Sequence, residues 1–227
     1  MLLKVKDLNY YYKDGDSKRD IFVDCNIQFE TGKFYSLLGD SGSGKTTFLS
    51  IIGGQDKRYK GEILCDDKEI KEIGLDKYRR SKVSMIYQNY NLIPYLNAVE
   101  NIMVAMDISE NVKTIDKQEI YHLLESIGIN QKKANRKASS LSGGEQQRVA
   151  IARSIETNCP FIIADEPTGN LDYKNSEEII ELFKDLAHRY NKCIIMVTHN
   201  EKLALETDVI YRIDEVNKKV ILGNPKH

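Results

Sequence analysis

Eight consecutive residues, Gly39-Asp40-Ser41-Gly42-Ser43-Gly44-Lys45-Thr46, fit the spacing G-x-x-x-x-G-K-[S/T]. Glycines at that spacing let backbone N–H groups curl around the phosphates of a nucleotide. Lys45 then sets an ammonium against the β- and γ-phosphates, and Thr46 offers a hydroxyl to Mg2+. A second segment, Leu141-Ser142-Gly143-Gly144-Glu145-Gln146-Gln147-Arg148, lies far downstream. Ser142 with Glu145 three positions later forms a capping box, which fixes where a helix begins. A helix start presents unpaired N–H groups and about half a positive charge, so this distant segment is also suited to an anion. Gly143 and Gly144 leave no side chain between those donors and a phosphate.

Three further positions carry chemistry. Phe161-Ile162-Ile163-Ala164-Asp165-Glu166 is an apolar run that ends in two carboxylates. That arrangement brings an acid to the metal of a phosphate-loop ATPase. Asp165 would hold Mg2+ through water, and Glu166 would polarise the attacking water, a general-base role worth roughly 10²–10⁴ in rate. Adjacent acids at a strand end are often only solvated, so the pair gains its meaning from the phosphate loop. His199 follows the apolar run Cys193–Val197, and Gln88 ends the run Val83–Tyr87. Taken alone, His199 reads as a capping or core histidine, and an isolated Gln88 carries no signal. Together, Lys45, Gln88, Asp165, Glu166 and His199 all fall at the C-terminal ends of expected strands, where open α/β sheets bind ligands.

The elements that must position these groups can be read from periodicity. Leu2–Leu8 is strand-like, Asp14-Gly15-Asp16 is a turn, and Val23, Cys25, Ile27 and Phe29 alternate with polar residues as in a half-buried antiparallel strand. Phe34–Leu38 is an apolar strand feeding the phosphate loop. A helix from about Lys45 is stopped by Gly53-Gly54. From about Tyr90 to Ala138 the chain turns helical, with Ile120, Leu123, Leu124 and Ile127 on one stripe. The basic stretch Gln131–Lys137 reads as a solvated loop. Buried strands then resume at Phe161–Ala164 and Cys193–Val197, with a helix between them marked by Ile179, Leu182, Phe183 and Leu186. Residues 223–227 read as a frayed tail. One unit is expected, in which 1–89 and 156–227 form the core and about 90–155 a helical insertion.

Composition bounds the rest. The chain has 227 residues, 41% of them hydrophobic, with a formal net charge of −1. That balance gives no bulk attraction to nucleic acid. No apolar run approaches the roughly 18 residues needed to span a bilayer, and charge appears too early in Met1–Asp7 for a signal peptide. Cys25, Cys65, Cys159 and Cys193 are scattered without a CxxC pair, which suits small buried residues in a reduced, cytosolic protein.

With those residues in view, the chain resembles the ATP-binding-cassette (ABC) ATPases over nearly its whole length and in the family's motif order. Leu141–Arg148 looks like the family signature and Gly39–Thr47 like the Walker A loop. The resemblance implies an α/β fold: a P-loop NTPase core with an N-terminal antiparallel β-subdomain and an inserted α-helical subdomain. It implies ATP and Mg2+ as ligands. By resemblance, Tyr12 stacks on adenine, Gln88 touches Mg2+ and senses a membrane partner, and Asp165 and Glu166 are the Walker B pair. Asn170-Leu171-Asp172 is the loop at the dimer seam, and His199 contacts the γ-phosphate. A neighbouring run of tyrosines, Tyr10 to Tyr12, is also a plausible core edge. The family further implies a head-to-tail homodimer on ATP binding, in which one copy's Walker A faces the other's Ser142, Gly143 and Gly144.

Gln88-Asn89-Tyr90-Asn91-Leu92-Ile93-Pro94, Val99-Glu100-Asn101, Leu141–Ala152 and Gly169–Asp172 resemble the group that serves macrolide export, lipoprotein release and bacitracin resistance. Asp40, Thr46-Thr47 and Tyr87 depart from that group's usual proline, serine-threonine and phenylalanine. The implied role is an ATPase at the cytosolic face of a membrane, driving a separate integral-membrane permease. An alternative is a cell-division type of ATPase that regulates a membrane complex without transport. A DNA-repair ATPase would need a coiled coil or zinc module between Gly39 and Leu141. That interval shows no extended heptads and no cysteine pair. A translation-type ATPase would need two cassettes.

Overall fold

The computed structural model describes residues 1–15, 17–169 and 171–223. Expectations that rest on Asp16, Asn170 and 224–227 therefore lie outside the described residues. The chain opens with a long hairpin, β1 (Leu2–Asp14) and β2 (Ser17–Glu30), antiparallel from Leu2↔Glu30 to Asp14↔Ser17. Both strands reach the turn, further than the short runs expected from the sequence. Their polar halves are exposed, but the ladder continues through register shifts near Val5–Leu8 and Tyr10–Tyr11. Cys25, Ile27 and Phe29 point inward and Asp24, Asn26 and Gln28 outward, as the alternation predicts, but the positive φ of Asp24 breaks the alternation before it, so that Phe22 is buried and Val23 only half-buried.

The core follows as β3 (Phe34–Leu38), then α1 (Lys45–Ile52), which Gly53 and Gly54 end. Next come β4 (Lys60–Cys65), β5 (Lys68–Glu69), the short helices α2 (Ile70–Ile73) and α3 (Leu75–Ser81), and β6 (Val83–Ile86). Helices dominate the next stretch: α4 (Ala98–Ile108), α5 (Lys117–Ser126), α6 (Gln131–Ala134) and α7 (Gly143–Glu156). The chain closes with β7 (Phe161–Asp165), α8 (Tyr173–His188), β8 (Cys193–Thr198), α9 (Glu201–Ala204), β9 (Val209–Asp214) and β10 (Lys219–Leu222).

Among the described residues these strands make two sheets, ordered β2-β1-β4-β5 and β10-β9-β3-β8-β7-β6. The first is antiparallel; in the second, β9, β3, β8, β7 and β6 run parallel and β10 closes one edge antiparallel. This is the α/β architecture with an N-terminal antiparallel sheet that the resemblance implied. Both faces of the parallel sheet are covered. Phe161, Ile163, Ile195 and Val197 pack with α1 residues Phe48 and Ile52, while Ile162, Ala164, Ile194 and Met196 pack with Ile179 and Phe183 of α8. Strands covered on two sides read as continuous apolar runs, which is why β7 and β8 were visible in the sequence.

Ile102, Ile120, Leu124, Val149 and Ala152 form a separate cluster among α4, α5 and α7. The stretch Gln131–Lys137 corrects the expectation of a solvated loop. Its first four residues form α6, capped where Asn130 Oδ1 accepts from Lys133 N at 3.0 Å, and Ala134 is fully buried. One small apolar residue in a basic run is enough to dock a single turn, yet gives no periodicity to read. No helix of the described residues is long and apolar enough to cross a membrane.

Candidate nucleotide-binding site

The parallel order β3-β8-β7-β6 explains why the candidate residues meet. Lys45 follows β3, His199 follows β8, Asp165 and Glu166 end β7, and Gln88 follows β6. Four adjacent strand ends thus deliver them to one edge of the sheet, in the crevice where α/β sheets take ligands.

The loop between β3 and α1 is wound tightly. Gly44, the N-cap of α1, has φ +105°, and a Cβ there would lie 2.7 Å from Ile21 Cγ2. Only glycine suits both the left-handed backbone and the close neighbour. Ser43 N donates to Asp40 O at 3.2 Å, closing the turn that brings Gly42 and Gly44 round. Ser43 itself is largely buried, and a Cβ on Gly39 would lie 2.6 Å from its hydroxyl. Lys45 is largely buried, and its ammonium donates to Gly39 O at 2.7 Å and Asp40 O at 2.8 Å. A cation held on the loop's own carbonyls stays at the mouth of the cradle, beside the N-terminal N–H groups of α1.

Thr46 Oγ1 donates to Asp165 Oδ2 at 3.2 Å. Burial pushes the Asp165 carboxyl above its ordinary pKa, the neighbouring Glu166 adds to this, and the Thr46 bond and Lys45 oppose it. A site that destabilises its own carboxylate in this way favours a cation. The donors that converge here, a hydroxyl, a carboxylate and the nearby Gln88 amide, are the hard oxygen ligands that suit Mg2+. Gln88 lies beside the turn at Glu166, since a Cβ on Gly169 would lie 3.5 Å from Gln88 Nε2 and 3.4 Å from Glu166 O.

Glu166 has φ +47°, an uncommon conformation for a residue with a side chain. Its N–H donates to Val197 O at 3.1 Å and its carbonyl accepts from Gly169 N at 3.0 Å, so the turn is held on both sides. Its carboxylate faces His199, whose Nδ1 lies 3.0 Å from both oxygens.

A cleft of about 340 Å³ is lined by Tyr12, Arg19, Ser41, Gly42, Gly44, Lys45, Thr46, Thr47, Gln88, Asp165 and Glu166, with Ile21. Tyr12 is partly exposed, and its hydroxyl is 2.9 Å from Thr47 Oγ1. Its ring packs edge-on against Tyr10, and that neighbour is the buried one of the pair. Tyr12 thus belongs to the cleft and Tyr10 to the core edge. Arg19 was not anticipated. It faces Tyr12 directly across the hairpin, in the register that pairs Asp14 with Ser17, whereas equal counting about the turn expected at Asp14-Gly15-Asp16 sets Lys18 there instead.

Ser142, Gly143 and Gly144 lie elsewhere. Among the described residues, none of the three lines this cleft. Their helix start is formed as expected: Ser142 Oγ accepts from Glu145 N at 3.4 Å, and Ser142 N donates to Glu145 Oε2 at 2.9 Å. Asp172 caps α8, accepting from Asn175 N at 2.9 Å, and Asn175 Oδ1 accepts from Arg148 Nη1 at 2.9 Å. Leu171 and Asn175 also lie against Gly144. The loop at 171–172 is thereby fixed beside the second glycine pair.

Comparison with known proteins agrees with this geometry. Residues 22–169 match the model of the family described as ABC transporter. The chain belongs to the ABC transporter family. It is 45% identical over 212 residues to an uncharacterised ABC transporter ATP-binding protein, YclH, of Bacillus subtilis, with 93% of each chain covered. It is 34% identical over 220 residues to the lipoprotein-releasing system ATP-binding protein LolD of Acinetobacter baylyi, covering 95% of this chain and 96% of that one. Among solved structures, the dimeric form of the cassette MJ0796 superposes with a TM-score of 0.88 at 34% identity, over 99% of both chains. That relative comes from Methanocaldococcus jannaschii. A second MJ0796 dimer, in a post-hydrolysis state bound to ADP and Pi, matches with a TM-score of 0.88 at 33% identity. The protein is therefore an ATP-binding, ATP-hydrolysing subunit of an ABC transporter, of a kind that forms dimers and works with a membrane permease.

Proposed function

We propose that this ATPase completes each of its two sites only by pairing with a second copy on binding ATP. The observation that carries this reading is the separation, within one chain, of the phosphate cleft from Ser142, Gly143 and Gly144. One copy would bind the triphosphate along Gly39–Thr47, with the base on Tyr12. The partner copy would bring its glycine-rich helix start to the γ-phosphate. Four anion-seeking helix starts are then all used by two nucleotides, and a two-fold pair is the simplest closed assembly.

Within each site, Lys45 steadies the terminal phosphates, and Thr46, Asp165 and Gln88 would hold Mg2+. Bound there, Mg2+ would supply positive charge that offsets the charge of the phosphates. Glu166 takes the proton of the attacking water, and His199 holds that carboxylate in place from the neighbouring strand end. A groove of about 690 Å³ lined by Gln55, Arg79, Tyr87, Val104, Ile108 and Arg153 lies beside the Gln88 loop, and Val104 and Ile108 are exposed apolar residues on α4. It suits a cytosolic segment of the permease, which would place the ATPase at the cytosolic face of the membrane. Residues 90–155 would then turn as the unit that carries the signature helix. The LolD relatives are named for a lipoprotein-releasing system, and the resemblance of motifs such as Gln88–Pro94 supports a role in the same group.

The test is the Glu166→Gln variant with ATP and Mg2+. It should bind ATP with near wild-type affinity, hydrolyse at least about a hundredfold more slowly, and shift from monomer to dimer in size-exclusion light scattering. Near-normal hydrolysis would remove Glu166 as the base. A variant that remains monomeric with its permease present would remove the shared site.

A further inference from the structure

Gln88 sits in a segment that is held at both ends. Upstream, Gln55 Nε2 donates to the Tyr87 hydroxyl, which ties the end of β6 to the chain just beyond α1. Downstream, Tyr90 and Asn91 take φ +60° and +47° in succession, without a glycine. Such conformations are strained for residues that carry a side chain, more readily borne by asparagine than by tyrosine. Backbone bonds from Tyr90 N to Tyr87 O at 2.9 Å and from Asn91 N to Asn89 O at 2.6 Å close the turn.

The strained pair is gripped by one side chain of the signature helix. Arg153 Nη1 donates to Asn91 O at 2.6 Å and Nη2 to Tyr90 O at 2.9 Å. Arg153 is half-buried, and among the described residues it has no carboxylate partner. Its fork geometry suits two adjacent carbonyls, whereas a lysine ammonium can bridge them only loosely. The tyrosine hydroxyl reaches the other end of the same helix, since a Cβ on Gly143 would lie 3.0 Å from it. Tyr90 therefore touches two points of α7 ten residues apart, about 15 Å along the axis.

We propose that Arg153 is a positioning residue for Gln88: it straps the turn Tyr90-Asn91 to α7, so that movement of the signature helix shifts Gln88 at the metal end of the cleft. This rests on the role given to Gln88 above. The strap acts on the rate of hydrolysis and leaves the phosphate loop alone, because Arg153 contacts nothing in Gly39–Thr47.

The experiment measures Mg2+-dependent ATP hydrolysis by the full chain carrying Gln88→Ala, Arg153→Ala, Arg153→Lys, Arg153→Ala with Asn91→Gly, and Gln88→Ala with Arg153→Ala. Arg153→Ala should lower kcat about tenfold and leave KM for ATP within about twofold, the signature of a lost transition-state effect. Arg153→Lys should recover little. Asn91→Gly should restore part of the loss, because glycine adopts the left-handed turn without the strap. Adding Arg153→Ala to Gln88→Ala should slow the enzyme no further. Wild-type kcat in a folded Arg153→Ala or Arg153→Lys variant overturns the proposal, as do multiplied losses in the double variant or no recovery from Asn91→Gly. Should Arg153→Ala fail to fold, the lysine variant carries the test. Wild-type hydrolysis by Gln88→Ala would instead bring down the role of Gln88 and the strap with it. A slow Gln88→Ala beside a normal Arg153→Ala removes the strap alone.

Discussion

His199 and Glu166 show what a single pair contributes. Glu166 is held in a left-handed turn and His199 lies across it with Nδ1 3.0 Å from both carboxylate oxygens. A carboxylate fixed in this way needs little reorganisation to accept a proton. Replacing His199 with alanine is expected to lower single-turnover hydrolysis roughly 10²-fold, the range for a mispositioned general base, with ATP affinity changed only a few-fold. A comparable loss of affinity would instead place His199 among the groups that bind the ground state. Most such residues were legible in the sequence because each follows a strand with an unbroken apolar run. Arg19 and Arg153 were not, for a shared reason. Arg19 reaches the cleft only through the hairpin register that sets it opposite Tyr12, and Arg153 grips carbonyls 62 and 63 positions before it, so local spacing points to neither.

At the level of elements, the helix α7 owes its position to its own first turn. The reciprocal bonds between Ser142 and Glu145 are joined by an ion pair from Lys133 of α6 to Glu145 at 2.8 Å. That pairing and the capping bonds hold the Glu145 carboxyl below its ordinary pKa. Ser142→Ala removes one cap and is expected to cost about 1 kcal/mol. In a chain of this size that corresponds to a fall of roughly 2–4 °C in Tm, to be read by calorimetry. An unchanged Tm would mean that packing alone sets the helix start. The capping box was readable in advance, and so were β3, α1, β7 and β8, since their apolar runs and glycine stops are local signals. By contrast, β9, β10 and the short α2 and α3 have half-exposed faces without a clean period, and they are shaped by what they pack against. The same applies to α6, where the buried Ala134 outweighs its charged neighbours.

The two glycine-rich segments make sense only for the assembled molecule. Each chain has a complete phosphate loop with Lys45 and Thr46, and a complete capped helix start at Ser142, yet the cleft of one chain holds only the first of these. If the sites are shared, two different defects should complement. A chain with Lys45→Ala lacks phosphate binding but keeps its signature helix. A chain with Ser142→Glu and Gly143→Asp keeps its phosphate loop, but places carboxylates where the partner's γ-phosphate must approach. Each variant alone should be inactive. Mixed in equal amounts, half of the randomly formed pairs contain one of each chain, and in these one site unites the intact loop of one copy with the intact helix of the other. Hydrolysis should then return, up to roughly a quarter of the wild-type rate for independent sites in a two-fold pair. It should rise and fall with total protein concentration, since the active species is a dimer. A site housed within one chain has no route to such recovery, because mixing two dead enzymes creates no intact copy. Restored activity in the mixture would therefore place the reacting phosphate at the seam, and persistent inactivity in a mixture shown to form heterodimers would place it inside the single chain.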